Sequence, residues 1–229
     1  MGGGIILLGI MAVMIPEGYM VIALHGIIQL FSNATRTWVF RKHIKKQLIN
    51  QFAIGSGLGL LLSAGLIFLL IQLFQVQSAN QIKVEFLKPL IGLFILWYLY
   101  LKGPKKPKSI STFIPVGGIS GISSVFIGAT GPLIAPFFLD ETLTKENVIA
   151  NKAACQVITH LGKIPLFILF FQVDYLAEYP VLLPLILAVF AGTHLGKKVL
   201  DFIPEKLFRN LFKTALTLIA VKLIFSSFL

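Results

Sequence analysis

The feature that most restricts this chain is the length of its apolar runs, clearest over Phe52 to Phe74, Leu87 to Leu101, Val181 to Val199 and Leu207 to Leu229. A bilayer core about 30 Å thick takes about 20 apolar residues per crossing helix, and backbone inside lipid must satisfy its own hydrogen bonds. Several such runs joined by short loops point to a helical bundle that crosses a membrane repeatedly. The composition agrees, with 56% apolar and 13% charged residues, where a soluble domain carries roughly a quarter charged. No comparably long stretch is left over for a soluble domain.

A formal charge of +11 raises the alternative of a polybasic site for nucleic acid or lipid headgroups. Yet 13 of the 20 Lys and Arg residues fall in three short loops, Arg36 to Lys46, Lys102 to Lys108 and Lys197 to Arg209. Basic charge that flanks apolar segments marks the cytoplasmic side, so nucleic acid is not an expected partner and the lipid bilayer is. Gln72 to Ile82 and Gln172 to Pro180 hold no Lys or Arg and are expected on the opposite side. The sequence thus places the chain in a cell membrane as a multi-pass protein with cytoplasmic basic loops. A single cysteine, Cys155, excludes an intramolecular disulfide and argues for a small packing residue. Met1-Gly2-Gly3-Gly4 carries no basic region or cleavage site, so no removable signal is expected.

Nine segments are expected, at about 3 to 14, 18 to 40, 48 to 74, 84 to 101, 110 to 127, 131 to 139, 145 to 171, 180 to 200 and 205 to 228. The first and sixth are too short to cross comfortably, and each starts at a glycine cluster, as half-helices or re-entrant pieces do. Leu101 to Ser111, with Gly103, Pro104, Pro107 and four lysines, reads as a joint between halves at 1–103 and 104–229.

Shifting Gly4 onto Gly131, a displacement of 127 residues, tests for a repeat. His25 then falls on Lys152, Gln29 on Gln156, Ser32 on Thr159, Asn33 on His160 and Arg36 on Lys163. Polar positions meet polar positions although the glycines alone fixed the shift. The helix ending at Arg36 to Lys46 should finish on the basic side and its partner, ending before Asp174, on the other, so the repeats are expected to be inverted. Gly55-Ser56-Gly57-Leu58-Gly59 resembles Gly192-Thr193-His194-Leu195-Gly196 at a displacement of 137, and small residues at this spacing allow close helix approach. Ser111 to Ile127, with Gly117, Gly118 and Gly121, has no counterpart in the first half, which either lost a helix or starts further upstream. The expected fold class is therefore an all-α polytopic membrane protein of two inverted structural repeats, with short broken or re-entrant half-helices at glycine clusters.

His25, Gln29, Asn33 and Arg36 share one helical face, and Lys152, Gln156, Thr159, His160 and Lys163 form the matching one. A Lys near a helix centre in lipid costs roughly 2.5–3.5 kcal/mol on insertion scales, so Lys152 and Lys163 call for a polar cavity. The plainer alternative is that the polar side chains join helices, at about 0.6 kcal/mol each. All nine acidic residues lie in loops or near segment ends, which leaves the interior net positive. A buried cation without counter-charge shifts its protonation, recruits water or binds an anion. Binding suits Gly128-Ala129-Thr130-Gly131-Pro132, where Pro132 fits a first helical turn and free N–H groups would face a negative ligand. Gly2-Gly3-Gly4 is its weaker partner, for which a flexible start is the alternative. His25 and His160 could carry protons or only hydrogen-bond; His43 reads as a solvated loop residue and His194 as packing. The glycine clusters lack the Lys-Ser/Thr pair of a P-loop, so no nucleotide is expected, nor any other cofactor or metal.

The Gly2-Gly3-Gly4 start with Pro16, the polar helix from Ala23 to Asn33, and Gly117-Gly118-Ile119-Ser120-Gly121 leading to Gly128-Ala129-Thr130-Gly131-Pro132 resemble the sulfite exporter TauE/SafE family. The likeness continues through Asn151 to Lys163 and through Gly192 to Arg209, with Gly196, Pro204 and Leu207-Phe208-Arg209. It implies a duplicated membrane transporter that moves sulfite, sulfonates or related small anions, usually outward and coupled to an ion gradient. The sequence departs from the family pattern in lacking a helix before the first glycine cluster and in having Ala129-Thr130 where more glycine is usual.

The reading that follows is a secondary transporter of a small anion and not an enzyme, with alternating access around a net-positive midplane pocket. Substrate contacts are expected from Gly3, Gly4, His25, Gln29, Asn33, Gly128, Thr130, Gly131, Lys152, Gln156, Thr159, His160 and Lys163. An anion channel would instead show flux without saturation, and a non-transporting assembly subunit would bind no anion. A homodimer is compatible with either.

Overall fold

A computed structural model of the chain describes residues 3–82, 87–101, 113–128, 130–138, 145–200, 214 and 217–225, and among these every regular element is helical. The elements are α1 (Gly3–Met14), α2 (Gly18–Val39), α3 (Lys46–Phe74), α4 (Leu87–Leu96, continued by a π-helical turn Trp97–Leu101), α5 (Ile114–Phe126), α6 (Gly131–Ile134, continued by a 3-10 turn Ala135–Phe138), α7 (Lys145–Phe171) and α8 (Tyr179–Leu200). A last helical stretch covers 217–225, so most of the expected segment over 205 to 228, and the joint over 102 to 112, lie outside the described residues.

The chain is turned inside out relative to a soluble protein. On α3, Leu58, Leu61, Phe68, Leu69, Leu73 and Phe74 are exposed, whereas His25, Asn33, Ser56, Thr159, His160 and Lys163 are buried. An exposed apolar surface of this extent is untenable in water but matches acyl chains. By length and apolarity, α3 and α7 are long enough to cross a membrane. α2 has the length, but His25, Gln29, Asn33 and Arg36 dilute its apolar character.

α3 and α5 form the closest helix pair. A Cβ on Gly55 would collide with the Ile114 carbonyl, one on Gly59 with the Gly118 carbonyl, and one on Gly117 with the Phe52 carbonyl. Only glycine lets backbones meet this way. The cluster of Gly117, Gly118 and Gly121 is therefore the surface against which α3 packs. α3 and α7 both end on a left-handed glutamine, Gln75 (φ 53°) and Gln172 (φ 55°), a conformation that glycine adopts with less strain.

α2 and α7 run antiparallel through the centre. Tyr19 stacks on Phe171 with ring centroids 5.6 Å apart, Ile22 meets Lys163, and His25 meets His160. α1 packs on α2, and the 217–225 stretch closes the bundle against α4 and α1, through Tyr100 Oη and Thr217 Oγ1 at 2.8 Å and through Ile219 against Gly9.

Candidate functional site

Gly4 and Gly131 sit where the two short helices begin, and each is packed by a glutamine from the long helix that follows. A methyl group on Gly4 would lie 3.1 Å from the Gln29 carboxamide, and one on Gly131 would lie 3.0 Å from Gln156 Nε2. These contacts are related by the displacement that aligns the two polar helices. α1 spans 12 residues, about 18 Å at 1.5 Å per residue, too short for a whole crossing. The Gly4 carbonyl accepts a 2.8 Å hydrogen bond from His25 Nε2, which ties the start of α1 to the middle of α2.

His25 and His160 meet edge to face with centroids 6.4 Å apart, and both are buried. Lys163 is fully buried beside them, and its Nζ donates to the carbonyls of Ile22 (2.9 Å) and Ser124 (3.2 Å). Local sequence explains both acceptors. α5 ends with Ile127 N and Gly128 N both donating to Ser123 O, so the Ser124 carbonyl is left for the ammonium. Gly128 turns the chain at φ 82°. On α2, Gly26 leaves room for the lysine, since a Cβ there would collide with Lys163 Cε. The ammonium therefore caps the negative end of α5, the favoured place for a cation. It also lies 5.6 Å from the centroid of the Phe167 ring.

The remaining expected residues divide. Thr159 Oγ1 donates to Cys155 O at 2.8 Å and lies 3.4 Å from Ser120 Oγ, so its hydroxyl is engaged within the bundle. Asn33, Thr130 and His160 are buried, and both amide atoms of Asn33, Thr130 Oγ1 and His160 Nδ1 find no hydrogen-bond partner among the described residues. A buried polar atom without a partner costs about 1–3 kcal/mol, so each of these atoms has bonding capacity left for water or a ligand. Lys152 is half-buried on α7, Gly3 is exposed, and Cys155 is a buried packing residue as expected.

Sequence reasoning did not find the clamp at the basic end. Asn151 accepts from Lys45 N at 2.7 Å and donates to His43 O at 3.1 Å, while Asn147 donates to the same carbonyl at 2.8 Å. His43 is exposed as expected, but its carbonyl anchors the α2–α3 loop to α7. Replacing Asn151 by Leu should free this loop by about 2 kcal/mol, a roughly 30-fold rise in its open population. Tryptic cleavage at Arg41, Lys42 or Lys45 should accelerate accordingly, and an unchanged rate would refute the clamp.

Apolar helices facing outward around a buried basic and amide cluster define a helical membrane protein. The family model for sulfite exporter TauE/SafE matches residues 1–223, and the chain belongs to that family. Membership makes it a membrane transporter of the sulfite and anion exporter type. No curated protein and no solved structure matches the sequence significantly.

Proposed function

We propose that the chain is a secondary transporter of a small oxyanion, such as sulfite or a sulfonate, working by alternating access between two inverted repeats at 1–103 and 104–229. The observation that carries this reading is the pair of glycine contacts, Gln29 on Gly4 and Gln156 on Gly131, at the starts of two short helices. Continuing the antiparallel register of Ile22 with Lys163 and His25 with His160 sets Gln29 level with Gln156. A two-fold axis in the membrane plane would pass there, with both helix N-termini and their free N–H groups converging on one spot.

In this reading the anion binds between Gln29 and Gln156 and takes further hydrogen bonds from Thr130 and Asn33. Gly3, Gly4, Gly128 and Gly131 allow the backbone to approach it. Thr159 orients the α7 face through its bonds to Cys155 and Ser120. Lys152 and Lys163 supply positive charge, and an arriving anion competes with the Ile22 and Ser124 carbonyls for the Lys163 ammonium. His25 and His160 offer a route for a coupling proton. The basic loops face the cytoplasm and the direction of transport is outward.

Reconstituted in liposomes, Gln29→Leu and Gln156→Leu should each lower sulfite or sulfonate flux about tenfold, the worth of one neutral hydrogen bond near the upper end of its range. Lys152→Met should lower it as well. Normal flux in all three variants would remove the paired faces from the mechanism.

A further inference from the structure

At the end of the bundle away from the basic loops, side chains of α2, α3, α5 and α7 line a chamber of about 540 Å³. Its inner wall is deeply buried, with Ile67, Val125 and Phe167 each 3% exposed or less. Its outer wall belongs to the apolar face of α3, where Leu70 and Phe74 are exposed. The chamber is thus continuous with the surface that acyl chains cover, and the fluid at its mouth is hydrocarbon. The strap that joins α3 to the next helix roofs it with Val76, Ala79 and Ile82, and Ser78 holds the strap down by donating to the Phe170 carbonyl at 2.9 Å. No Lys, Arg, Asp or Glu is among the described lining residues, and the polar side chains there are Tyr19 and Gln81. Water finds too few partners in such a space, whose volume falls within the range of ligand sites.

The rim of the chamber differs from its walls. Tyr19 sits there as tyrosines do at a membrane–water interface, with the ring toward hydrocarbon and the hydroxyl toward water. Glu17, which is exposed, and Glu178 both act electrostatically on that hydroxyl. Neither carboxylate is paired with a Lys or Arg among the described residues, and Gln72 to Ile82 and Gln172 to Pro180 contain no basic residue. The described rim therefore sets two carboxylates above an apolar chamber. An anionic headgroup is repelled there, whereas a primary ammonium pairs with carboxylates and donates up to three hydrogen bonds.

We infer that the chamber holds one acyl chain of a bilayer phospholipid whose headgroup carries a primary ammonium, as phosphatidylethanolamine does, with that ammonium at Glu17 and Glu178. The site goes beyond the transport reading and does not depend on what is carried. Apolar burial of the chain supplies the attraction, and the carboxylates supply the choice of headgroup.

The test places the full chain in phosphatidylcholine nanodiscs that contain a small fraction of phosphatidylethanolamine with a diazirine at the end of one acyl chain. After photolysis, peptide mass spectrometry should find label on Val125 and Phe167, which a lipid lying against the outer surface does not reach. Phosphatidylglycerol with the same labelled chain should mark these two residues roughly threefold less, the worth of one exposed ion pair. Glu17→Gln combined with Glu178→Gln should remove that headgroup difference while the chamber is still labelled. Label confined to exposed α3 positions such as Leu61 and Leu69, equal labelling by the two headgroups, or a difference that survives the double substitution would each overturn the inference.

Discussion

Gly117→Leu should leave almost no folded protein in the membrane, while Gly57→Ala on the facing helix should accumulate normally. A Cβ at Gly117 would strike the Phe52 carbonyl and come within 2.8 Å of Ser56 N, whereas one at Gly57 meets nothing within 4 Å. Backbone atoms cannot rotate away as a side chain can. The helices must separate, and with them go the neighbouring contacts of Gly55, Gly59 and Gly121. Overpacking a core usually costs about 1–3 kcal/mol, and loss of a whole backbone interface exceeds that range. Size-exclusion profiles of the detergent-extracted variants provide the measurement. A monodisperse Gly117→Leu protein at normal yield would show that the α3–α5 contact is not needed.

Lys163→Met should abolish transport without abolishing the fold. Methionine keeps the length and apolar stem, so Phe167 and Gly26 retain a neighbour. The Ile22 and Ser124 carbonyls lose their donor. Against that stands the removal of a buried ion, whose desolvation costs several kcal/mol, so the net change in stability is small. In the proposed mechanism, transport depends on the charge itself. A charged hydrogen bond is worth about 1.5–3 kcal/mol, and its loss should lower flux about 100-fold. Arginine should not rescue, because the space beside Gly26 fits a narrow ammonium stem and not a planar guanidinium. Flux above half the unmodified rate in Lys163→Met would exclude the lysine from the transport step.

Much of this architecture can be read from residue patterns. The bounds of α1 and α7 coincide with the apolar runs and their punctuation by glycine, proline and charge. The buried polar face of α2 and α7 follows from residues spaced by three and four. The shift of 127 residues pairs Gly4 with Gly131 and Gln29 with Gln156, and the structure adds that each glutamine packs on one of those glycines. Where patterning failed, the partner was main chain. For Lys163, with no carboxylate near, the sequence offers shifted protonation, water or an anion, and it does not show the carbonyls of Ile22 and Ser124 that hold the ammonium. Neither carbonyl has a signature in its own side chain. The small residues from Gly55 to Gly59 do allow close helix approach as expected, but their partner, α5, was not named by the pattern. The spacing of four in Gly55 and Gly59 and again in Gly117 and Gly121 was the signal that would have found it. The Asn151 clamp involves backbone groups more than 100 residues away and left no local trace.

The glycine seam between α3 and α5 also sets what can move. Two rods whose main chains interlock in this way resist sliding past one another. In the proposed transport cycle the pair would move as one strut, and the α2–α7 crossing, built from side chains that can change rotamer, would be the compliant joint.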